Sequence, residues 1–294
     1  MSKGIPKRLC GRELSLKNVQ TIKEEVQGGY SFSRAEIARR VCNRLKLFNP
    51  LGLPQLMSCR VGLLRLYRLG LIELPPPRTR NGNGKGLNRQ KVKLPQLTLL
   101  ETDLKSLTGL RLSRVRTRKE SAYWNSLIDE HHYLGYKPVP GAQVRYLIRC
   151  DKGDIGAIGF SASAWKVGVR DKWIGWDSTT RENGLHLIVN NSRFLVLPNV
   201  RVKNLASRIL SLCAKRLVID FAETYGYGPV LLETFVENGR YPGTCYRAAN
   251  WLYLGNTTGR GKLDRYHKHA VPVKSVFVYP LVRNFLLRLT EVGQ

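Results

Sequence analysis

Several polar side chains in the C-terminal half of the sequence are of types that carry catalysis. His132 follows Glu130 and His131 near the end of a predicted helix, where an imidazole can act as a general base or bind a metal ion. Asp177 and Glu233 each lie at the end of an apolar segment. Carboxylates at strand ends can hold the Mg²⁺ ions with which nucleases and transposases activate water. The alternatives are a packing histidine and carboxylates that pair with arginines.

Tyr246 indicates a different reaction, in which the phenol oxygen attacks a phosphate and forms a covalent intermediate. The neighbouring Arg247 would then stabilise the charged transition state. The alternative is a tyrosine packed beside Trp251. The candidate catalytic residues are therefore His132, Asp177, Glu233 and Tyr246, with Asp177 and Glu233 also the candidate ligands of Mg²⁺.

The charge of the chain predicts a polyanionic partner. There are 49 Lys and Arg against 21 Asp and Glu, a formal net charge of +28 with a pI near 10.3. Lys and Arg that neutralise phosphates release condensed counterions, so we expect tight, salt-sensitive binding of nucleic acid. A basic soluble protein without such a partner is the alternative. The predicted DNA contacts are Arg60, Arg65, Arg68, Arg78, Arg80, Lys85, Asn191, Arg193, Arg247, Arg260 and Lys262.

The N-terminal third contains two predicted helices. Ser33 and Glu36 have the spacing of a capping box, and the apolar residues that follow recur at three- and four-residue steps up to residue 45. A second helix is predicted over residues 55–69, with Gly70 as its stop. Its arginines at 60, 65 and 68 fall on the side opposite the apolar residues, so that side could lie against DNA.

A short strand over residues 71–74 and a basic, glycine-rich loop over 78–86 are predicted after the second helix. Two helices, a turn, a strand and a basic loop favour a winged helix-turn-helix, whose second helix enters the major groove of duplex DNA. A small helical protein-interaction domain is the alternative.

From residue 123 onward, strands and helices alternate. The predicted helices cover residues 123–132, 205–225 and 244–251, and the predicted strands cover 143–150, 155–161, 173–176, 186–190, 194–197, 230–235 and 276–279. We therefore predict an α+β protein with a winged-helix DNA-binding domain at 1–77, a basic linker at 78–117 and a mixed α/β domain at 118–294.

Neither the cysteines nor the N-terminus indicates secretion. The six cysteines are scattered without a CxxC pair, and the five histidines complete no zinc-finger spacing. No signal peptide and no membrane-spanning segment is predicted. We expect a cytoplasmic bacterial protein with reduced thiols and no membrane partner.

Several spaced strings of the second domain carry a family resemblance: HYLG at 132–135, RDKWIGW at 170–176, NSRFLVLP at 191–198, ETF at 233–235 and GTCYRAANW at 243–251. Over residues 30–280 the chain resembles the family typified by the A protein of the Druantia anti-phage defence system, which also has stand-alone, transposase-like members. The resemblance implies phage defence or mobile DNA as the context, and it implies no particular reaction.

The order of elements in the second domain also resembles the GNAT acetyltransferase fold. In that fold a strand leads into a pyrophosphate-binding turn, Arg/Gln-x-x-Gly-x-Gly/Ala, at the start of a helix. The matching stretch here is residues 201–206, where Asn204 replaces the first glycine and Leu205 occupies the middle position. Without that glycine the backbone approaches a pyrophosphate less closely, so we do not expect coenzyme A as a cofactor.

These patterns lead to three functional hypotheses. The first is a DNA-processing protein of phage defence or a mobile element, which binds duplex or single-stranded DNA and cuts a strand with Mg²⁺. The second is a non-catalytic DNA-recognition subunit for a partner helicase or nuclease. The third is a coenzyme A-dependent acyltransferase.

Overall fold

A computed structural model describes residues 6, 8–10, 12–28, 32–49, 52–76, 92–259 and 271–291. The chain divides into two compact units, residues 1–88 and residues 89–294. Each unit has hydrophobic cores built only from its own residues. The units are therefore described separately.

The first unit consists of a small hairpin and three helices. In chain order they are β1 (Arg8–Leu9), β2 (Arg12–Glu13), α1 (Leu16–Gln27), α2 (Arg34–Arg44) and α3 (Leu56–Arg68). The hydroxyl of Ser33 accepts a hydrogen bond from the N–H of Glu36, so α2 begins where the capping spacing predicts. Ile22 of α1, Ile37 of α2 and Leu63 of α3 are completely or almost completely buried in one core.

The segment after α3 differs from the expectation. Residues 71–76 form a bend and irregular backbone, so the strand predicted over 71–74 was wrong. Ile72 and Leu74 are nevertheless buried in the core, and the Pro75 carbonyl accepts a 2.7 Å hydrogen bond from Arg34 Nε. The segment is thus held by side-chain packing and one arginine, with no strand partner among the described residues. The predicted basic loop at 78–86 lies outside those residues, and the winged helix stays a prediction.

The second unit is a mixed α/β structure around a seven-stranded sheet. Its helices are α4 (Arg118–His131), α5 (Gly168–Ile174), α6 (Ser178–Gly184), α7 (Leu205–Tyr225), α8 (Thr244–Ala248) and α9 (Phe285–Thr290). Its strands are β3 (Leu100–Glu101), β4 (Arg111–Arg114), β5 (Gln143–Cys150), β6 (Gly153–Ala162), β7 (Ile188–Val196), β8 (Val200–Arg201), β9 (Leu231–Glu237), β10 (Leu252–Asn256) and β11 (Lys274–Pro280). The sheet order is β10-β11-β9-β7-β6-β5-β4, and β3 pairs with β8 apart from it.

Helices cover both faces of the sheet. Side chains alternate between the faces of a strand, so Tyr146 and Leu147 of β5 point in opposite directions. Tyr146 lies in the core that α7 completes through Ile209 and Phe221. Leu147 lies in the core that α4 completes through Trp124. The long apolar face of α7 and the shorter one of α4 thus bury the sheet from its two sides.

One strand pair differs from all the others in the sheet. Strands β7 and β9 are parallel, joined through α7, whereas every other neighbouring pair is antiparallel. Their pairing covers only three residues of each strand, from Ile188–Leu231 to Asn190–Glu233. Strand β7 then continues to Val196 and β9 to Glu237 without pairing to each other. The sheet therefore opens between β7, its central strand, and the neighbouring strand β9.

Three expectations for this region are revised by the structure. Residues 173–176 are not a strand, because α5 runs through Trp173 to Ile174 and ends at Gly175 with φ +80°. The two strands predicted over 186–190 and 194–197 are one strand, β7. Part of the predicted linker is folded, since Leu107 and Leu112 are buried in a core of the second unit.

Candidate functional site

The opening between β7 and β9 forms a cleft of about 370 Å³. One wall is residues 191–196 of β7, and the other is residues 234–236 of β9. The last residue of α4 with residues 132–134, and residues 241–243 with the first turn of α8, close its sides. The structure therefore brings together His132, Asn191, Arg193 and Tyr246, four of the predicted site residues.

A buried hydrogen-bond group lies where the strands separate. Tyr246 Oη donates to Asn191 Oδ1 over 2.8 Å, and Thr234 Oγ1 donates to the Asn191 carbonyl over 3.1 Å. The Asn191 amide nitrogen in turn donates to the Gly159 carbonyl. Asn191 thus ties β7 to β9, to α8 and to the neighbouring strand β6, although no ladder joins β7 and β9 here.

Tyr246 is held inside this group. Its ring stacks on Phe277 at 5.8 Å and meets Trp251 edge-on at 5.1 Å. Burial raises the pKa of its phenol above the ordinary value, so the neutral phenol persists at neutral pH. Nucleophilic attack by the phenol oxygen stays a prediction. The buried ring and its hydrogen bond to Asn191 indicate that Tyr246 positions Asn191.

His132 has one ring nitrogen already engaged. Its Nδ1 accepts a hydrogen bond from the N–H of Leu134 over 3.2 Å, and its ring stacks on Tyr133 at 4.8 Å. Burial, with the nearby positive charge of Arg193, lowers the pKa of His132 to about 4. The imidazole is therefore neutral at pH 7 with its proton on Nε2. In this state Nε2 is a hydrogen-bond donor, and the ring is a poor proton acceptor at neutral pH.

Two further groups in the cleft wall could meet an anionic ligand. The Arg193 guanidinium donates to the carbonyls of Gly135 and Ser192, and burial lowers its pKa. His131 Nε2 is buried without a hydrogen-bond partner among the described residues, its nearest carboxylate oxygen being that of Glu130 at 3.9 Å. A buried polar atom without a partner costs free energy, and because His131 Nε2 exposes almost no surface, a ligand would reach it only after a side-chain movement.

Arg247, predicted to contact DNA, lies outside the cleft wall and is exposed. Its guanidinium lies over the rings of Tyr253 and Phe277, at 5.1 and 5.3 Å from their centroids. This cation–π contact fixes the arginine on the surface of the sheet edge.

Glu233 is the centre of a buried ion pair instead of an open carboxylate. Its Oε2 accepts from Arg170 Nη1 over 2.7 Å and its Oε1 from the N–H of Ala164 over 2.9 Å, with both side chains fully buried. Arg170 also donates to Asp171 Oδ1 from Nε and Nη2. Burial raises the pKa of the Glu233 carboxyl, while the Arg170 charge acts against that rise. Neither oxygen faces the cleft.

Asp177 is exposed and caps α6, where its Oδ1 accepts from the N–H of Thr180 over 2.7 Å. These backbone hydrogen bonds hold the pKa of the carboxyl below its ordinary value. Among the described residues no group of three or more His, Cys, Asp or Glu could hold a metal ion. The role of Asp177 and Glu233 as Mg²⁺ ligands stays a prediction. Their hydrogen-bond and ion-pair partners in the structure do not support it.

The start of α7 borders the same cleft. Asn204 has φ +61°, a left-handed conformation that Asn adopts more readily than most residues, and its side chain makes no cap hydrogen bond. Leu205 is buried in the core, and Ala206 lines the cleft. The turn therefore has the positive φ that a glycine would supply, and Leu205 does not obstruct it. The sequence argument against coenzyme A therefore rests on the Asn204 side chain alone, which a glycine would lack and which limits how closely the backbone approaches a pyrophosphate.

In the first unit, the exposed side of α3 is basic. Arg60, Arg65 and Arg68 are exposed, and the helix contains no Asp or Glu. Met57 and Val61, exposed to 70% and 66%, lie among them. Arg78, Arg80, Lys85, Arg260 and Lys262 lie outside the described residues. No helix in the described parts of the chain is long and apolar enough to span a bilayer.

These features define a two-unit protein, with a basic helical unit and a mixed α/β unit whose central sheet opens into a ligand-sized cleft. The chain belongs to the family of the Druantia protein DruA, whose model matches residues 65–268. This match confirms the resemblance found in the sequence. No curated protein matches the chain.

The chain is also similar to solved acetyltransferase structures at low identity. A spermidine N-acetyltransferase SpeG chimera from Vibrio cholerae and hSSAT has 10% identity and a TM-score of 0.39, over 59% of this chain and 96% of that one. An N-acetyltransferase from Staphylococcus aureus has 11% identity and a TM-score of 0.35, over 58% and 97%. The microcin C7 self-immunity acetyltransferase MccE, in complex with acetyl-CoA and AMP, has 6% identity and a TM-score of 0.31, over 47% and 61%. These values assign no activity to this chain.

Proposed function

We propose that this protein is a DNA-binding component of a Druantia-type anti-phage defence system. The observation that carries the DNA-binding part is the exposed side of α3, with Arg60, Arg65 and Arg68 and no carboxylate on the helix. The family membership supports the defence context.

Duplex DNA fits this surface better than a protein partner does. The major groove is about 12 Å wide and admits one α-helix, and a helix of 13 residues is about 20 Å long. Arginine pairs with guanine edges and with phosphates, while apolar side chains such as Met57 and Val61 can contact thymine methyl groups. Residues 1–88 contain 17 Lys and Arg against 5 Asp and Glu, which favours a polyanion.

A binding experiment with a matched control tests this proposal. Replacing Arg60, Arg65 and Arg68 together by Ala should weaken binding to labelled duplex DNA about 10- to 100-fold and reduce the slope of log K against log salt by about 2 to 3. The control replaces Arg39, Arg40 and Arg44 of α2, which are also exposed but lie within 4 Å of Glu36 or Glu25. Equal losses for the two triple variants would place the contact surface elsewhere.

Strand processing is the finer form of the proposal, and the same labelled DNA tests it. Metal-dependent strand cleavage would support a nuclease or transposase if the nicks need Mg²⁺ or Mn²⁺ and are lost in Asp177→Asn. Asp177 is an exposed side chain, so this substitution leaves the core packing unchanged. Intact single and double strands under all conditions would support a recognition subunit that acts with a partner helicase or nuclease.

The cleft favours a second candidate function, acyl transfer with coenzyme A. Backbone N–H and C=O groups along residues 192–196 and 235–236 have no ladder between β7 and β9, so an extended ligand with amide groups could bind them. The α7 N-terminus beside Ala206 could receive the phosphates of such a ligand. If an acyl-coenzyme A binds, its thioester supplies the acyl group and coenzyme A leaves as the free thiol, and His132 Nε2 would donate a hydrogen bond in the cleft.

Calorimetry with coenzyme A and acetyl-CoA tests this second candidate. Ala206→Phe should abolish binding because the ring would fill the cleft mouth, whereas Ala214→Phe, at a similarly half-buried position further along α7, should leave it unchanged. No heat from either ligand with the wild-type protein would contradict acyl transfer.

A further inference from the structure

The first unit brings three cysteines from distant parts of the sequence together. Cys42 and Cys59 belong to one buried core, Cys10 packs against that core, and the Cys59 thiol interacts with the thiols of both Cys10 and Cys42. Cys42 on α2 and Cys59 on α3 are fully buried, while Cys10 is partly exposed. Their spacing in the sequence, 32 and 17 residues, shows no motif.

Cys10 has a backbone conformation that is unfavourable for cysteine. Cys10 directly follows Leu9, which pairs with Arg12 in the hairpin, and its backbone lies in a turn. Its φ is +51°, a left-handed value for which such turns prefer Asn, Asp or Gly. This conformation costs about 1 kcal/mol or more in a residue with a Cβ. A costly residue in a tight turn indicates that its side chain has a role.

Packing keeps the turn close to α3. A Cβ built on Gly62 would lie 2.1 Å from Leu9 Cδ1, so the Leu9 side chain rests directly on the helix where there is no side chain. Gly62 follows Cys59 by less than one helical turn. The packing of Leu9 on Gly62 thus holds the adjacent Cys10 close to the part of α3 that carries Cys59.

The two thiols differ in acidity. The hydrogen bond from Cys59 lowers the pKa of Cys10, with a further contribution from the Arg12 charge. The hydrogen bond to Cys10 and burial raise the pKa of Cys59. Cys10 therefore loses its proton first, and the thiolate is the nucleophilic form of cysteine.

We propose that Cys10 and Cys59 are an oxidation site at which a peroxide forms a disulfide. The Cys10 sulfur attacks one peroxide oxygen, the O–O bond breaks, the other oxygen leaves as water with the proton of the Cys10 thiol, and Cys10 becomes a sulfenic acid. The Cys59 sulfur then attacks the Cys10 sulfur, and the S–O bond breaks as the S–S bond forms. The hydroxyl and the Cys59 proton leave as water. Two thiols and one hydrogen peroxide give one disulfide and two waters.

The experiment uses the full chain, reduced and then treated with hydrogen peroxide at a one-to-one ratio. Free thiols are alkylated, and peptides are mapped by mass spectrometry without reduction. We expect a loss of two thiols per chain and a cross-linked peptide pair containing Cys10 and Cys59, both reversed by dithiothreitol. We expect Cys10 to react at least 10-fold faster than Cys245, a partly exposed cysteine of the second unit whose pKa burial raises.

Variants complete the test. Cys10→Ser keeps a small polar side chain in the turn and should prevent the cross-link, with an unchanged circular dichroism spectrum. Cys42→Ser should leave it intact. A Cys42–Cys59 cross-link, oxidation of Cys10 to sulfinic acid without a cross-link, or one zinc ion per reduced chain that protects the three thiols would each overturn the proposal. DNA binding is not needed for any of these readouts.

Discussion

At the scale of single residues, the predicted catalytic side chains have different environments. Tyr246 and His132 share the cleft, but one is a buried hydrogen-bond donor to Asn191 and the other is a neutral ring with its proton on Nε2. The Glu233 carboxylate forms a buried ion pair with Arg170, and the Asp177 carboxylate caps a helix. Residue type alone does not distinguish these roles, because each depends on what surrounds the group.

His132 should make stability depend on pH. Its folded pKa is about 4 and its unfolded value is about 6.5, so between these values the unfolded chain binds a proton that the folded chain does not. This contribution is present above pH 6.5 and is lost as pH falls towards 4. Relative to His132→Gln, the wild type should lose about 1 kcal/mol more between pH 7 and 4.5, reduced from the full linkage value because the ring is partly exposed. Urea unfolding at the two pH values measures this difference, and equal losses would contradict it.

The Arg170–Glu233 pair should respond asymmetrically to substitution. Arg170→Met leaves a buried carboxylate without its cation and should cost about 3 to 5 kcal/mol. Glu233→Gln should cost less, because Arg170 retains Asp171 and the Ala164 carbonyl. Denaturant unfolding of both variants checks the order. The reverse order, or stabilisation of the wild type by Mg²⁺, would indicate a different role for Glu233.

At the scale of elements, the cleft depends on two features. Strands β7 and β9 pair over only three residues each, and α8 begins at a glycine with positive φ. Gly243, the N-cap of α8, has φ +70°, and a Cβ there would lie 2.8 Å from the Phe277 ring. Neighbouring Pro242 and Thr244 line the cleft. The glycine therefore lets the segment that closes the cleft approach the sheet.

Gly243→Ala should cost more than Gly239→Ala. Both positions have positive φ, so both substitutions carry about 1 kcal/mol of backbone strain. Only Gly243 also meets a ring, since a Cβ at Gly239 has nothing within 4 Å. An additional loss of about 1 to 2 kcal/mol at Gly243 is expected in thermal or denaturant unfolding. Similar losses at both sites would show that Phe277 moves aside freely.

At the scale of the whole molecule, the chain has two units with separate cores. The first unit's core draws on residues 9–74, and the cores of the second unit draw on residues 94–289. All five tryptophans, at positions 124, 165, 173, 176 and 251, belong to the second unit. Tryptophan fluorescence therefore reports on one unit, while far-ultraviolet circular dichroism reports on both.

Leu63→Ala should destabilise the first unit alone. Leu63 is 2% exposed, and its truncation should cost that unit about 2 to 5 kcal/mol. For Leu63→Ala we expect an unfolding transition at lower denaturant concentration in circular dichroism, with an unchanged midpoint in tryptophan fluorescence. Ile209→Ala, in the core that α7 completes, should instead lower the fluorescence midpoint. A fluorescence shift caused by Leu63→Ala would show that the two cores unfold together.

The sequence by itself determined the elements whose signals are local and the family of the chain. The capping spacing at Ser33, the period of α7 and the apolar run of β5 are set by residues within one element, and α7 and β5 have the predicted bounds. Only the tertiary structure decided that residues 173–174 are helical, since a short apolar run suits either a strand or a buried helix. The cleft, the Arg170–Glu233 pair and the cysteine group were also decided there. Each joins residues at least 17 positions apart, as in Cys59 with Cys42, Asn190 with Glu233 and Arg170 with Glu233, and no local periodicity records such contacts.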